Sequence, residues 1–386
     1  MSNRVIRVTA ASKAYDVVVG RGLFASLGER IASLSGSAMR RAFMIFDDNL
    51  PPAVIDACRA SLQSAGLTTA CASLQACETN KVLREVERLC HLAAEARLDR
   101  HDVVIALGGG ITGDVGGFVA ATFQRGLRVI QCPTTLLAMV DASVGGKTGV
   151  NLLHEGTLLK NYVGCFHQPE LVLASIETLD SLPEREFRAG LAECIKHAML
   201  SIDWGDPRLW DWTEENIARV LERDTGVLTD LVARNVAVKA CVVGRDEREL
   251  DESGGRALLN LGHTFAHAIE TIPTLSPTAD PADAPLLHGE AVALGLRAAC
   301  ATACALGLLG ASDAERLTAL LKRAGLPVHV RNLPPTEQLL DRMSRDKKAK
   351  AGALRLVVPT SLGRARLVHS PDPGAIAEGF AAICER

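Results

Sequence analysis

Short apolar runs alternate with segments of helical periodicity along the first part of the chain, and this alternation restricts the fold more than any other feature. The apolar runs lie within 41–49, 102–110, 127–135 and 171–175, and helical spacing of apolar residues is clearest at 80–98. Strands connected through helices form a parallel sheet, because each crossover returns the chain to the same end of the sheet. We therefore predict a Rossmann-like, nucleotide-binding α/β domain for residues 1–178.

Strand signals almost vanish after this region, and residues 179–386 are predicted to form a mainly helical domain. Helical periodicity continues to about residue 324, followed by two strand-like runs at 353–360 and 364–370 and a final helix at 374–386. The most apolar stretch, 291–311, contains Arg297 and is rich in Ala, Gly and Cys. It is therefore predicted to be a buried helix and not a membrane span.

Composition excludes several classes of protein. A net charge of −3 argues against a nucleic-acid binder that relies on a basic surface. The 11 cysteines are scattered and include no CxxC pair, which is typical of reduced thiols in a cytosolic protein. The start of the chain has no apolar core of a signal peptide. We expect a cytoplasmic protein that binds neither nucleic acid nor membrane.

A glycine-rich turn follows the apolar run at 102–108. Gly108, Gly110 and Gly113 match GxGxxG, a pattern that lets the backbone approach a pyrophosphate at the start of a helix. The acidic residue that usually ends the next strand is missing, since that run ends in Gln-Cys-Pro. The alternative ribose partners, after an earlier strand, are Asp47, Asp48 and Asn49. A turn without a nucleotide-binding role stays open as the other interpretation.

Gly146-Lys147-Thr148 resembles the end of an ATPase phosphate loop, but the first glycine of that motif would fall on Asp141. An ATPase loop is therefore excluded. Lys147 remains either a fixed positive charge for a phosphate group or a solvated loop lysine.

Histidines and a glutamate in the second half of the chain indicate a metal site. His263 and His267 are four residues apart and share one helical face, which is a common way to offer two imidazoles to one ion. His288 and Glu193 supply further ligand types. Each histidine alone is more often a core residue, and the spacing does not decide which three of the four groups bind the metal.

Six segments, taken together, resemble the 3-dehydroquinate synthase family. They are GGGITGDVGGFVAATFQRGLRVIQCPTTLLAMVDASVGGKTGVN at 108–151, KN at 160–161, GLAECIKHA at 190–198, LNLGHTFAHAIE at 259–270, HGEAVALGL at 288–296 and RDKKAKAG at 345–352. The resemblance implies an N-terminal NAD-binding α/β domain, a C-terminal helical metal- and substrate-binding domain and a homodimer. It also implies NAD and a divalent metal, zinc or cobalt, as cofactors.

The same motifs imply roles for individual residues. The metal ligands are expected to be Glu193, His263 and His288, and the residues expected to take part in catalysis are His267, Lys147, Asn161 and Asp141. The further substrate contacts are expected to be Arg125 (of the same or the other subunit), Lys160, Lys196, Lys239, Arg256, Asn260 and one of Lys347 and Lys348. The NAD contacts are expected to be Asp47 or Asp48, Asn49, Glu78, Lys81, Gly109, Gly110, Gly113, Asp114, Thr134, Thr135, Asp141 and Lys147.

Three departures from the family pattern stand out. The segment at 77–81 reads CETNK, so a turn glycine is lost while Glu78 and Lys81 survive. The stretches at 246–256 and 273–285 are longer than usual, and both are predicted to be surface loops.

The resemblance implies a lyase of the shikimate pathway of aromatic amino acid biosynthesis. Its substrate, a sugar-acid phosphate, is 3-deoxy-D-arabino-heptulosonate 7-phosphate, and its products are 3-dehydroquinate and phosphate. The alternatives are a related sugar phosphate cyclase that makes 2-epi-5-epi-valiolone or 2-deoxy-scyllo-inosose, a metal-dependent polyol dehydrogenase, and an inactive homologue that acts as a scaffold.

Overall fold

The computed structural model describes residues 3–34, 39–251, 254–278, 280–347 and 354–385, with the backbone alone at 157 and 344–347. The chain folds into two compact units. The first runs through Leu182 and adds Leu228–Gly244, and the second comprises Pro183–Val227 and the chain from Arg245 onward. The functional division at 178/179 stays a prediction, and the sequence did not indicate that 228–244 joins the first unit.

The strands of the first unit are β1 (Arg4–Thr9), β2 (Ala14–Gly20), β3 (Arg41–Asp47), β4 (Thr68–Leu74), β5 (Val103–Gly108), β6 (Arg128–Pro133), β7 (Lys147–His154), β8 (Thr157–Phe166) and β9 (Leu171–Ser175). Seven of them form one sheet in the order β1-β2-β9-β6-β5-β3-β4, parallel except for β1. The four predicted apolar runs are β3, β5, β6 and β9. The predicted α/β sheet is therefore confirmed.

Helices cover both faces of this sheet: α1 (Leu27–Ala32), α2 (Pro52–Ser64), α3 (Leu83–Glu95) and α4 (Gly110–Thr122). Successive residues of β3 point to opposite faces, so Met44 packs with side chains of α1 and α2, whereas Phe43 and Ile45 pack with those of α3 and α4. Burial on both faces explains why these strands are continuous apolar runs.

The strand order creates a crevice at the carboxyl ends of the strands. From β3 the chain goes outward to β4, whereas β5, β6 and β9 extend in the other direction. Ligands of open α/β sheets bind where the order reverses, beyond the carboxyl ends of the strands. Here those ends are Asp47 of β3 and Gly108 of β5.

Strands β7 and β8 form a separate antiparallel hairpin within the first unit. The sequence did not predict it, because glycine and polar residues interrupt both strands. The hairpin carries Lys147, Lys160 and Asn161.

The remaining helices are α5 (Glu184–Ala198), α6 (Leu209–Leu221), α7 (Thr225–Arg245), α8 (His263–Glu270), α9 (His288–Ala305), α10 (Ala311–Arg323), α11 (Thr336–Lys347) and α12 (Pro373–Ile383). The two strand-like runs predicted near the end of the chain form an antiparallel hairpin of β10 (Arg355–Ser361) and β11 (Arg364–His369). Helix α9 is almost entirely buried and packs against α5, α8 and α12. Among the described residues, no helix is long and apolar enough to cross a bilayer.

Two glycines let α9 approach its neighbours at backbone distance. A Cβ atom on Gly289 would lie 1.9 Å from the carbonyl oxygen of Ala189 on α5, and one on Gly295 would lie 2.1 Å from that of Gly262, which precedes α8. No side chain fits at either position without separating the helices. The three helices that carry Glu193, His263 and His288 are therefore held together by contacts that require glycine.

We predict that Gly289→Ala lowers the free energy of unfolding by about 1–3 kcal/mol, because the added methyl group forces α5 and α9 apart. Thermal unfolding of the metal-free protein measures this. Gly310→Ala is the matched control, since its Cβ would meet nothing closer than the Ser312 hydroxyl at 3.8 Å. Equal melting temperatures for the two variants would contradict the packing argument.

Candidate functional site

A fully buried carboxylate lies at the centre of a cluster in the second unit. Oε1 of Glu193 lies 3.6 Å from Nε2 of His263 and 3.5 Å from Nε2 of His288, and Glu193 is 0% exposed. One ligand atom of each residue lies within 4.8 Å of the other two. One carboxylate and two imidazoles form the ligand set of many catalytic zinc sites, which keep a further position for substrate or water.

The protonation of the two histidines differs. Burial, followed by the nearby charge of Lys196, lowers the pKa of His263 to about 3, so this imidazole is neutral and can bind a metal. Burial opposes the charged form of His288 as well, but hydrogen bonds with Glu193 and Glu270 outweigh it and raise its pKa to about 10. A dication at this position would therefore take the place of a proton.

Other groups orient the cluster. Nδ1 of His288 lies 3.4 Å from Oε1 of Glu270, and Nδ1 of His263 lies 3.2 Å from the carbonyl oxygen of Leu261. Both rings thus present Nε2 to Glu193. Lys196, one turn along α5, pairs with the same carboxylate. Acceptors on the far nitrogen are the usual support of metal-binding histidines.

Sequence reasoning missed Glu270, although the signal was present. It ends the same helix that His263 begins, and it lies close to the same helical face.

His267 lies beside this cluster but not within it. It is exposed, and its ring is perpendicular to that of His263 with 5.7 Å between the centroids. The spacing of the histidines left open which residues meet. The structure brings Glu193, His263 and His288 together and leaves His267 facing outward.

The longer Pro-rich stretch before His288 is tied to α5. Arg185 donates to both carboxylate oxygens of Glu290, at 2.7 and 2.8 Å, and to the carbonyl oxygens of Asp283 and Pro285, at 2.6 and 3.0 Å. Since α5 also carries Glu193, this arginine links the stretch to the helix of a candidate ligand. The sequence did not indicate this role.

A second group of predicted residues lies in the segment of the chain that connects α7 to α8. Arg256 is 2% exposed, and its Nη1 donates to the carbonyl oxygen of Glu247 at 2.5 Å. Asn260 donates from Nδ2 to Glu249 at 3.1 Å. The carboxylate of Asp246 accepts the backbone N–H of Arg256 at 3.0 Å, and such backbone bonds outweigh burial and lower the pKa of Asp246. Asp246, which sequence reasoning missed, therefore shapes the segment that carries Arg256.

In the first unit, the glycine turn lies at the crevice of the sheet. A Cβ atom on Gly108 would lie 2.6 Å from the Thr112 hydroxyl and 3.0 Å from Cβ of Asp47, and one on Gly109 would lie 3.2 Å from Cγ2 of Thr135. Position 108 thus needs glycine, and the turn leads directly into the N-terminus of α4, where free N–H groups favour an anion.

Several of the remaining predicted cofactor residues lie beside this turn. Asp47 accepts the backbone N–H of Asn49 at 3.0 Å, so the acidic segment after β3 forms an ordered turn that also includes Asp48. The backbone N–H of Thr134 donates to the carbonyl oxygen of Gly108 at 2.9 Å. These contacts place the ends of β3, β5 and β6 beside one another.

Charged side chains of the first unit form paired contacts. Lys239 donates to the carboxylate and carbonyl oxygens of Asp141, at 2.6 and 2.5 Å, although the two residues are far apart in the chain. Lys160 lies 3.8 Å from Glu78. Lys147 begins β7 with an exposed side chain.

Arg125 differs from these residues. It is exposed, its backbone adopts a left-handed φ of 65°, and its side chain makes no hydrogen bond or ion pair within the described part of the chain. Lys347 ends α11, but its side chain and all of Lys348 lie outside the described residues.

Sequence comparison gives a consistent family. A model described as 3-dehydroquinate synthase N-terminal matches residues 71–189, and one described as 3-dehydroquinate synthase C-terminal matches residues 190–349. The chain is 41% identical to the 3-dehydroquinate synthase of Rhizobium rhizogenes over 94% of this chain and 92% of that protein.

Two solved structures are similar over almost the whole chain. One is the 2-epi-5-epi-valiolone synthase of Streptomyces hygroscopicus, which was solved with NAD⁺ and Zn²⁺ bound. Its TM-score is 0.81 at 26% identity, and the match covers 98% of this chain and 99% of that chain. A 2-deoxy-scyllo-inosose synthase complexed with carbaglucose-6-phosphate, NAD⁺ and Co²⁺ has the same TM-score and coverage at 21% identity. At that identity the likeness shows the fold alone.

We predict that His263→Ala removes metal binding, because one of the three clustered ligands is lost. Bound zinc, measured on the purified and folded variant after dialysis, is expected to fall from about one ion per chain to near zero. His267→Ala is the matched control and is expected to keep the ion. Loss of zinc from the His267 variant alone would reverse the assignment.

Proposed function

The chain belongs to the 3-dehydroquinate synthase family, and we propose that it converts 3-deoxy-D-arabino-heptulosonate 7-phosphate to 3-dehydroquinate and inorganic phosphate. It does so with NAD⁺ and a divalent metal, zinc or cobalt, and so serves aromatic amino acid biosynthesis as a phosphate-eliminating lyase. The observation that carries this proposal is the cluster of Glu193, His263 and His288 in a chain that also has the glycine turn.

The second unit supplies a fitting metal site. Glu193, His263 and His288 would hold the ion, and a bound dication supplies Lewis acidity that favours the alkoxide and polarises the ketone of the substrate. Lys196 offsets the charge of the buried Glu193, while Glu270 fixes the ring of His288 so that Nε2 faces the ligand position.

The first unit supplies a fitting nucleotide site. NAD⁺ supplies a reversible oxidation of one ring hydroxyl, which acidifies the neighbouring C–H, lets phosphate leave and ends with no net redox change. The residues proposed to hold it include those at the carboxyl ends of β3, β5 and β6. They are Asp47 or Asp48, Asn49, Glu78, Lys81, the turn from Gly109 to Asp114, Thr134 and Thr135, with Asp141 and Lys147.

The substrate carries a carboxylate and a phosphate, and the chain offers fixed cations for both. The residues proposed to bind them are Lys147, Lys160, Lys196, Lys239, Arg256 and one of Lys347 and Lys348, together with Asn260. A charge-assisted hydrogen bond contributes on the order of 1.5–3 kcal/mol when it is shielded from water. Asn161 and His267 would orient the phosphate, which can itself accept the proton as it leaves.

The rival activities lack support of the same kind. Sugar phosphate cyclases act on substrates without this carboxylate, whereas Lys239, Arg256 and Asn260 keep the dehydroquinate synthase pattern. A polyol dehydrogenase has no use for the lysine of SVGGKT and the KN pair, which serve a phosphate. An inactive scaffold would have no reason to keep the metal cluster.

We further propose a cytoplasmic homodimer. The eleven cysteines are all free thiols, as a reducing compartment favours. Arg125 supports the dimer, because an exposed arginine with a left-handed backbone and no hydrogen-bond partner in the described residues is suited to reach the substrate phosphate of another subunit. Its forked guanidinium suits a phosphate better than a lysine would.

The direct test is phosphate release from the heptulosonate phosphate with zinc or cobalt and NAD⁺ far below the substrate concentration. We expect many turnovers per NAD⁺, loss of activity on chelation and recovery when metal returns. A dehydrogenase would consume NAD⁺ stoichiometrically, a cyclase would prefer a sugar phosphate without the carboxylate, and a scaffold would release no phosphate.

Mixed variants test the dimer. Lys147→Ala and Arg125→Ala are each expected to lower kcat/KM by about 10- to 100-fold, through loss of one charge-assisted contact. If Arg125 serves the partner's site, mixing the two variants forms heterodimers with one intact site. Activity then recovers to about a quarter of wild type, since half of the dimers are mixed. No recovery on mixing, with exchange of subunits verified by mass, would place Arg125 in its own site.

A further inference from the structure

A buried lysine connects two segments of the first unit that the proposed function assigns to different ligands. Nζ of Lys81 lies 2.5 Å from Oδ2 of Asp114 on α4 and 2.5 Å from Oδ1 of Asn161 on β8. Lys81 is 5% exposed. An ammonium group so far from water needs close acceptors, and these two oxygens supply a full charge and a strong dipole.

The contact decides which way the Asn161 amide faces. An ammonium group has only N–H donors and no acceptor, so the oxygen of the amide must face it and the NH₂ group must face away. This removes the usual ambiguity between the oxygen and nitrogen of an asparagine side chain. Asn161 is exposed, and within the described residues its Nδ2 donates to no protein acceptor.

The backbone of Asn161 is held as firmly as its side chain. It adopts a left-handed φ of 53°, which asparagine tolerates better than most residues. Its N–H donates to Oδ1 of Asn151 at 2.9 Å, and the amide of Asn151 donates to Oε2 of Glu78 at 2.7 Å. The backbone N–H of Asn151 also donates to the carbonyl oxygen of Lys81 at 2.7 Å.

We propose that Lys81 is a positioning residue for the substrate phosphate: it fixes Asn161 with its NH₂ group directed outward, as a preorganised donor to a phosphate oxygen. The same ammonium holds Asp114, so the helix that follows the glycine turn and the hairpin that carries Asn161 are set by one group. This inference rests on the proposed function for the identity of the substrate.

The alternative is that Asn161 only satisfies the buried ammonium and touches no ligand. The two interpretations differ in what a carboxylate at this position would do. An aspartate would pair with Lys81 at least as well, because both of its oxygens accept. It would also replace the two outward donors with a negative charge that repels phosphate.

Asn161→Asp is therefore the decisive variant. Inorganic phosphate is the probe, and its dissociation constant is measured by calorimetry on the holoenzyme with NAD⁺ and zinc. We expect the melting temperature to be kept and phosphate to bind about 10- to 100-fold more weakly. Phosphate binding equal to wild type would overturn the proposal, as would a wild-type protein that binds no phosphate.

A double-mutant cycle tests whether Lys81 acts through Asn161. With NAD⁺ saturating, because Lys81 is also a proposed NAD⁺ contact, we expect Lys81→Met to raise the KM for substrate more than it lowers kcat. On the Asn161→Ala background the same change is expected to alter KM by less than about twofold. If Lys81→Met changes KM by the same factor with and without Asn161→Ala, Lys81 does not act through Asn161.

Lys13→Met is the matched control, since Lys13 also lies 2.5 Å from a carboxylate, that of Glu170, but touches no proposed ligand contact. It is expected to bind phosphate as wild type does, whereas Lys81→Met is expected to bind phosphate more weakly. Equal weakening in the two variants would overturn the proposal. The phosphate measurement needs no turnover. A protein that binds phosphate as expected but fails to convert the heptulosonate phosphate would refute the proposed function alone.

Discussion

The second unit depends on a carboxylate that has no contact with solvent. An ionised Glu193 is tolerated in the interior only because Lys196 pairs with it and two imidazoles face it. Those imidazoles begin α8 and α9, so both helices must start within reach of α5. The glycines that let α9 touch its neighbours at backbone distance make this possible. The same helix contacts therefore determine both the packing of the second unit and the geometry of the candidate metal site.

Buried charge organises the first unit in the same way. The ammonium groups of Lys81 and Lys239 are almost excluded from water, and each is paired with an aspartate far away in the chain. Such pairs add little stability compared with apolar packing, but breaking one leaves an uncompensated charge. They therefore fix geometry: Lys81 turns one amide outward, and Lys239 holds the short π-helix, Ala138–Ala142, that contains Asp141.

Much of the fold could be predicted from local pattern. Strands buried on both faces appear as continuous apolar runs, and β3, β5, β6 and β9 were found for that reason. The β7–β8 hairpin was missed, because its strands contain glycine and polar residues and are exposed on one side. Helix α7 lies in the region that was predicted to be helical, but periodicity says nothing about which unit its residues join, and Leu228–Gly244 belong to the first unit. The unit they join depends on which surface they pack against.

The sequence by itself determined the residue types at the site, the glycine turn, and the family whose motifs the chain carries. Only the tertiary structure decided that His263 and His288, rather than His267, meet Glu193. It also decided that Glu270 and Arg185 support them, and which way the Asn161 amide faces. The reason is physical. Composition and spacing act along the chain, whereas these choices depend on distances between residues that are remote in sequence and on the need to pair each buried charge.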